Sequence, residues 1–302
     1  MESKPDPTPL IVIVGETASG KTALSIELAK LCKGEIIAAD SRTIYRGLTI
    51  GTAKPTPQEM DGVPHHLLDV VSPDQYFSAA DFKRLANEAI HEIFSRGRVP
   101  FIVGGTGLYV DSVIYDFTFR QPGNPGIREQ LEGLSVEALQ QILIKKGIDL
   151  PENARNPRHL IRRIETGGEE HARRPLRANT LILGLSIERD VLRERLEKRV
   201  QLMLGQGLVQ EVKALAERYG WDAPGMQSPG YRTFRKYLEG ECTLEDTCTL
   251  LVREHMHLAK RQRTWFKRNK DIHYISKKEE AVDLVTSFLN KVYTDTGQSL
   301  LQ

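Results

Sequence analysis

Leu10-Ile-Val-Ile-Val14, followed by Gly15-Glu-Thr-Ala-Ser-Gly-Lys-Thr22, is the stretch on which the fold turns. A short apolar, β-branched run breaks into a loop bracketed by glycines, and Ala23-Leu-Ser-Ile-Glu-Leu-Ala29 continues as a helix. This is the phosphate-loop spacing G-x-x-x-x-G-K-[ST] in a strand–loop–helix setting. Glycines at 15 and 20 let the backbone curl so that the amides of Thr17, Ala18, Ser19 and Gly20 point at phosphate oxygens. The helix beginning after Gly20 adds the positive end of its dipole. Lys21 brings a point charge to the terminal oxygens, and the Thr22 hydroxyl is a ligand for Mg²⁺. The plainer alternative, a glycine turn before an ordinary helix, does not explain why strand, both glycines, Lys-Thr and helix coincide. The pattern specifies a phosphate-bearing ligand and leaves the reaction open.

Working outward, the chain has 302 residues, enough for one large domain or two modest ones. With 42 Lys+Arg against 40 Asp+Glu, its net charge of +2 selects no partner. Cys32, Cys242 and Cys248 are too few and too scattered for a disulfide framework. The first residues lack the basic-then-apolar layout of a signal peptide, and no apolar run approaches the roughly 20 residues that span a bilayer. The expectation is a soluble, cytoplasmic protein without a membrane partner.

After the loop, Leu24, Leu28 and Leu31 keep helical spacing as far as Lys33-Gly34. Glu35-Ile-Ile-Ala-Ala39 reads as a buried strand delivering Asp40-Ser41-Arg42 to the carboxyl edge of a parallel sheet, where ligands gather. Asp40 is then a proton acceptor or a Mg²⁺-linked carboxylate, with a helix N-cap as the alternative. Tyr45 to Pro57 is a polar, glycine-rich passage of the length of a binding loop. Leu67-Leu-Asp-Val-Val71 reads as a further strand, and His65-His66 before it as a loop or substrate contact rather than a zinc site. Phe82 to Phe94 is an amphipathic helix. Val99-Pro-Phe-Ile-Val103 is a strand leading into Gly104-Gly-Thr-Gly-Leu-Tyr109, a second glycine cluster at the carboxyl edge. Thr106 supplies its hydroxyl.

From Tyr115 to Asn179 the β–α rhythm stops. Pro122, Gly123, Pro125 and Gly126 read as a linker, and Leu131, Leu134, Leu139, Ile142 and Leu143 as short helices. Arg155, Arg158, Arg162, Arg163, Arg173, Arg174 and Arg177 face only three glutamates in the region. Arginine without lysine suits phosphate, because the guanidinium fork matches its geometry. Leu181-Ile-Leu-Gly-Leu-Ser-Ile187 returns to the sheet, with helices after it around Leu192–Met203 and Val209–Ala216. The last long helix is expected over Leu244–Asn269. Its end, Lys260-Arg-Gln-Arg-Thr-Trp-Phe-Lys-Arg268, interleaves charge with Trp265 and Phe266, as a surface for tracking and stacking RNA does; a capped amphipathic helix reads equally well. Cys242, Cys248, His255 and His257 fit no zinc-finger spacing. The expectation is therefore an α/β protein, with a P-loop NTPase-like parallel sheet flanked by helices (1–114 and 180–290). A mostly helical insertion (115–179) and a disordered tail (291–302) complete it. Two readings remain, a small-molecule kinase using ATP or a transferase acting on nucleic acid. The two basic surfaces favour the second.

Taken together, Gly15–Thr22, Asp40-Ser-Arg, Tyr45-Arg-Gly-Leu-Thr-Ile-Gly-Thr-Ala-Lys-Pro-Thr56, Ser78-Ala-Ala-Asp-Phe82, Gly104–Tyr109, Gly230-Tyr-Arg232 and Lys260–Trp265 resemble the bacterial tRNA dimethylallyltransferases, in order and over most of the chain. The Tyr45–Thr56 passage is specific to that family. The resemblance implies that the loop holds the diphosphate of dimethylallyl diphosphate. The dimethylallyl group would pass to N6 of adenosine 37, beside the anticodon of tRNAs reading UNN codons. It implies a monomer acting on the anticodon stem-loop, with Asp40 as base and Lys21, Thr106 and Arg199 at the reaction channel. Asp40, Ser41, Arg42, Thr43, Thr106, Arg128, Arg158, His159, Leu160, Ile161, Arg162 and the Gln227–Arg232 loop (Gln227, Gly230, Tyr231, Arg232) would contact tRNA. Glu16 stands where the family's loop carries proline, which predicts weakened or reoriented donor binding. His159 and Pro229 also depart from the family's segments.

Overall fold

The computed structural model describes residues 8–119, 125–168 and 174–296. The chain divides into two compact units, Met1–Ile114 with Leu176–Gln302, and Tyr115–Pro175. In the first, the Leu10–Val14 run becomes β1 (Leu10–Gly15), all six residues of which are buried. A strand so apolar on both faces suits the middle of a parallel sheet. α1 (Lys21–Leu31) follows the loop and leads into β2 (Gly34–Ala38). The one-turn α2 (Pro57–Met60), the two-residue β3 (His65–His66) and α3 (Ala79–Ser95) come next. β4 (Val99–Gly104) and α4 (Gly107–Ile114) bring the chain to the second unit.

That unit consists of α5 (Pro125–Glu132), α6 (Val136–Lys145) and α7 (Pro157–Glu165) around Leu131, Leu139, Leu143, Leu160 and Ile161. Of the expected linker, Pro125 and Gly126 instead open α5, while Pro122 and Gly123 lie outside the described residues, as does Arg173. The first unit resumes with β5 (Thr180–Leu185), α8 (Arg189–Gly205), α9 (Leu208–Tyr219) and the short α10 (Pro229–Arg232) and α11 (Arg235–Leu238). α12 (Leu244–Phe266), β6 (Ile272–Tyr274) and α13 (Lys278–Thr296) end it. No helix among the described residues is long and apolar enough to cross a membrane.

The six strands are parallel, in the order β3-β2-β4-β1-β5-β6. Val12 sits between Ile102 and Ile182, so Gly15, Gly104 and Leu185 emerge side by side at one edge. Parallel register thus does the work of assembling a site: the loops that carry Gly15–Thr22, Asp40-Ser-Arg and Gly104–Tyr109 all leave from the carboxyl edge. α1 and α13 cover one face through Leu24, Leu28, Ala281, Val285 and Leu289. A second core gathers Ile44, Tyr45 and Leu48 with Val200, Met203, Val212, Tyr231, Phe234 and Leu251.

Three expectations are corrected. Residues 67–71 are not a strand: Leu67 and Asp69 have φ of 61° and 54°, and only Val71 bridges to Tyr45. The edge strand is the histidine pair itself, its His66 bonded to Glu35 at 2.7 Å. The long helix stops at Phe266, because Ile272–Tyr274 adds a strand beside β5. The tail expected to begin at 291 is helical to Thr296, because Val292 is buried and Tyr293 packs on the core beneath α13; residues 297–302 lie outside the described residues.

Candidate active site

The carboxyl edge opens into a cavity of about 540 Å³, walled by the phosphate loop, the Asp40–Thr43 turn, Thr106, Arg199, the Ser228–Gly230 loop and α12. Gly20, at φ 96°, is the left-handed residue from which α1 springs. The amides of the first turn, from Lys21, have no helical acceptor and a positive dipole behind them. Other loop groups are committed elsewhere. The Thr17 amide donates to Gln262 Oε1 at 2.8 Å and that of Ser19 to the Glu16 carbonyl at 3.2 Å. Of the expected nest, the Thr17 and Ser19 amides are thus engaged within the protein. Lys21 Nζ donates to the Glu16 carbonyl at 2.5 Å. Burial pushes its ammonium down to about 8, with Arg199 acting the same way against the opposing charges of Asp40 and Glu16. Thr22 is exposed on the cavity wall.

Asp40 and Thr106, 66 residues apart in sequence, meet because β2 and β4 are neighbours. Asp40 Oδ1 accepts the Arg42 amide at 2.7 Å, and Thr106 Oγ1 accepts the Ser41 amide at 3.0 Å. The Thr106 amide in turn donates to the Ala39 carbonyl at 3.1 Å. This ladder fixes the turn that holds the Asp40 carboxyl at the cavity. Arg199, half-buried on α8, lies close enough to Lys21 and His255 for its charge to bear on both.

Glu16 is not among the residues that line the cavity. Its side chain is 2% exposed and receives both arms of Arg263, Nε at 2.6 Å and Nη2 at 2.8 Å, with Nη2 also reaching the Ile187 carbonyl. The carboxylate borders a groove between α8 and α12 instead. The basic end of α12 is therefore in part a strut, while Lys260, Arg261, Lys267 and Arg268 stay exposed. Gln262 and Arg263 grip the loop, Phe266 is buried, and Trp265 donates to Asp111 at 2.9 Å while lying across Gly107. A Cβ on Gly107 would come within 2.2 Å of that indole, so only glycine admits it. Phe266 is thus removed from any stacking surface.

The family model described as IPP transferase matches residues 43–269. The tRNA dimethylallyltransferase of Bacillus pumilus is 41% identical over 299 residues, covering 90% of this chain and 93% of that protein. The chain belongs to the IPP transferase family. Among solved structures, the full-length tRNA isopentenylpyrophosphate transferase of Bacillus halodurans superposes with a TM-score of 0.73 at 38% identity, over 96% of this chain and 98% of that one. A eukaryotic dimethylallyltransferase acting on tRNA gives 0.76 at 25% identity, over 98% and 81%. The IPP transferases are thus P-loop-like prenyltransferases whose fold recurs here.

Within this family member, the residues expected at tRNA sort by exposure. Arg42, Gln227 and Arg232 reach the surface or the cavity mouth, although Arg232 pairs with Glu254 and Gln227 donates to the Trp221 carbonyl. Ser41 borders the cavity, as does Thr43, whose hydroxyl is buried without a partner. Tyr231 is a correction: it is fully buried, and its phenol donates to Glu211 at 2.6 Å. Glu211 also accepts the amides of Thr49, Ile50 and Gly51, so this unforeseen carboxylate shapes the Tyr45–Thr56 passage. In the insertion, Arg158 and His159 are exposed and Arg162 half-buried. The Leu160 and Ile161 side chains are buried in its core rather than exposed at a surface, a second correction with a plain hydrophobic cause. Arg128 is shared between Glu132 and Glu165. Gln262 lay inside a quoted motif, but nothing local marked Glu211.

Proposed function

We propose that this chain transfers the dimethylallyl group of dimethylallyl diphosphate to N6 of adenosine 37 in tRNAs reading UNN codons, releasing diphosphate. What supports this reading above all is that a phosphate-binding turn and a fixed carboxyl, Asp40, share one cavity in a member of this family. The diphosphate would lie at Gly20–Thr22 with Lys21 and Arg199 against its oxygens. As the allylic C–O bond breaks, charge grows on those oxygens, and fixed cations there stabilise it more than they stabilise the bound donor. The exocyclic amine is a weak nucleophile that must lose a proton as the new C–N bond forms. Asp40 takes that proton, and the Thr106 hydroxyl keeps its turn in place. An adenine reaches this depth only by leaving its stack, so the anticodon stem-loop presents a flipped base. Arg42, Arg158 and Arg162 are the RNA-facing cations of this reading, with His159 beside Arg158 in the chain.

The cavity's donor set also fits Mg²⁺. The Thr22 hydroxyl borders it, and a hard cation takes oxygen ligands together with substrate phosphates. When bound it would add positive charge at the diphosphate. We further propose a monomer working in the cytoplasm alongside its tRNA.

The test is transfer of label from dimethylallyl diphosphate to tRNA carrying adenosine 37, with and without Mg²⁺. Consumption of ATP on small acceptors without RNA would instead favour a kinase. Asp40→Ala should lower kcat by about 10²–10⁴-fold, the usual worth of a general base, with tRNA affinity kept. Equal loss of tRNA binding would remove Asp40 from that role.

A further inference from the structure

Four buried side-chain polar atoms among the described residues have no hydrogen-bond partner: Ser19 Oγ, Thr43 Oγ1, Ser228 Oγ and His255 Nδ1. All four belong to residues lining the same cavity. Buried polar groups are nearly always satisfied, so orphans gathered around one cavity mark where a ligand supplies the missing partner. Ser19, Thr43 and Ser228 sit in loops already assigned to phosphate or RNA. His255 does not. It projects from α12, 8% exposed, three residues from Leu258 and seven from Gln262, which puts all three on one helix face toward the cavity. Gln262 at one end of that stripe holds the phosphate loop, and His255 stands further along the helix beside Arg199.

We propose that His255 is a ligand of the donor's diphosphate, its ring N–H donating to a phosphate oxygen and the imidazole taking a proton from solvent as the anion settles beside Arg199. The inference rests on the donor-binding reading above and extends it to a residue that reading does not use. Burial and the Arg199 charge push His255 down to about 4, so the imidazole is neutral at pH 7 and adds no third cation beside Lys21 and Arg199. Glu254, next to it on α12, pulls the other way and is tied to Arg232 of α10. The cavity is also lined by Lys21, Asp40, Arg42 and Glu59, by Arg261 of α12 itself, and by His65, which titrates. A diphosphate reverses the sign of the field at the ring, which favours the imidazolium. Binding that takes up a proton tightens as pH falls. The charge so acquired faces a leaving group whose own negative charge rises as the C–O bond breaks.

The experiment uses inorganic pyrophosphate as probe on the full-length protein. Calorimetric titration in two buffers of different ionisation enthalpy, between about pH 6 and 8, reads proton uptake on binding. Wild type should take up more protons than pyrophosphate's own titration releases or consumes, and His255→Asn and His255→Gln should lose that excess while melting like wild type. In the transfer assay, both variants should raise KM for dimethylallyl diphosphate about ten- to a hundredfold at acid pH and less at alkaline pH, with KM for tRNA unchanged, as for a hydrogen bond to a charged group. Equal proton uptake in wild type and variants, or a loss confined to tRNA, overturns the assignment. Should the asparagine variant not fold, the histidine ¹⁵N shifts of wild type with and without pyrophosphate decide the same point: no new imidazolium, no ligand. Since pyrophosphate binding needs no turnover, failure of the transfer reaction itself would strike the proposed function and leave this result standing.

Discussion

Lys21 carries the residue-scale argument for catalysis. Its ammonium is the charge nearest the loop's first helical turn, yet burial and Arg199 bring it down to about 8 while Asp40 and Glu16 oppose them. The sign follows directly. Below that value Lys21 is cationic and attracts the donor; above it the charge is lost and diphosphate binding weakens. Because kcat/KM reports the free enzyme's groups, kcat/KM for dimethylallyl diphosphate should fall above about pH 8, approaching tenfold per unit. Lys21→Arg should move the fall to higher pH, since guanidinium keeps its proton. A flat profile to pH 9.5 in wild type would show that Lys21 holds its charge without the donor.

At the scale of elements, what was legible in the sequence was whatever depended on neighbours in the chain. β1 and β4 followed from short apolar runs ended by glycines, β2 from an apolar run ended by Asp40, and α1 from the spacing of Leu24, Leu28 and Leu31. Asp40, Thr106 and the phosphate loop came together as expected of strands ending at one edge. Residues 67–71 misled because an apolar run looks extended even when Leu67 and Asp69 sit at positive φ. α12 misled for another reason. Lys260–Arg268 resembles a solvated basic face, and no local pattern announces that Arg263 is held by Glu16, 247 residues earlier. Glu16 and Arg263 therefore form a pair in which one explains the other. Removing one partner of a buried ion pair leaves the other charge stranded, and a fully buried case costs about 3–5 kcal/mol. With the Arg263 side chain 35% exposed, Arg263→Leu should cost about 2–3 kcal/mol and raise donor KM by loosening the loop. Glu16→Pro with Arg263→Leu should recover most of that loss, because no charge then remains unpaired. A double-mutant cycle on thermal unfolding measures it, and additive effects would mean the pair is an accident of the surface.

On the scale of the whole molecule, the chain leaves the sheet unit and returns to it at closely tied points. The Arg177 amide donates to the Ile114 carbonyl at 2.8 Å, and the Arg174 amide to Tyr115 at 3.0 Å. Each unit has its own buried cluster, and every residue lining the cavity belongs to the sheet unit. A chain with residues 117–173 replaced by a short Gly-Ser turn should therefore fold and bind pyrophosphate with a Kd close to that of the intact protein. Transfer to tRNA is a different matter, since Arg158, His159 and Arg162 go with the excised segment. Losing several phosphate contacts lowers affinity steeply and flattens its salt dependence by roughly 0.7–0.9 per contact in log–log slope. The excised chain should thus lose at least about a hundredfold in kcat/KM for tRNA, with a shallower salt slope, while its pyrophosphate isotherm is unchanged. Loss of both together would make the insertion part of the fold that shapes the cavity; retention of both would take tRNA recognition away from it and place it on Arg42, Gln227 and Arg232 alone.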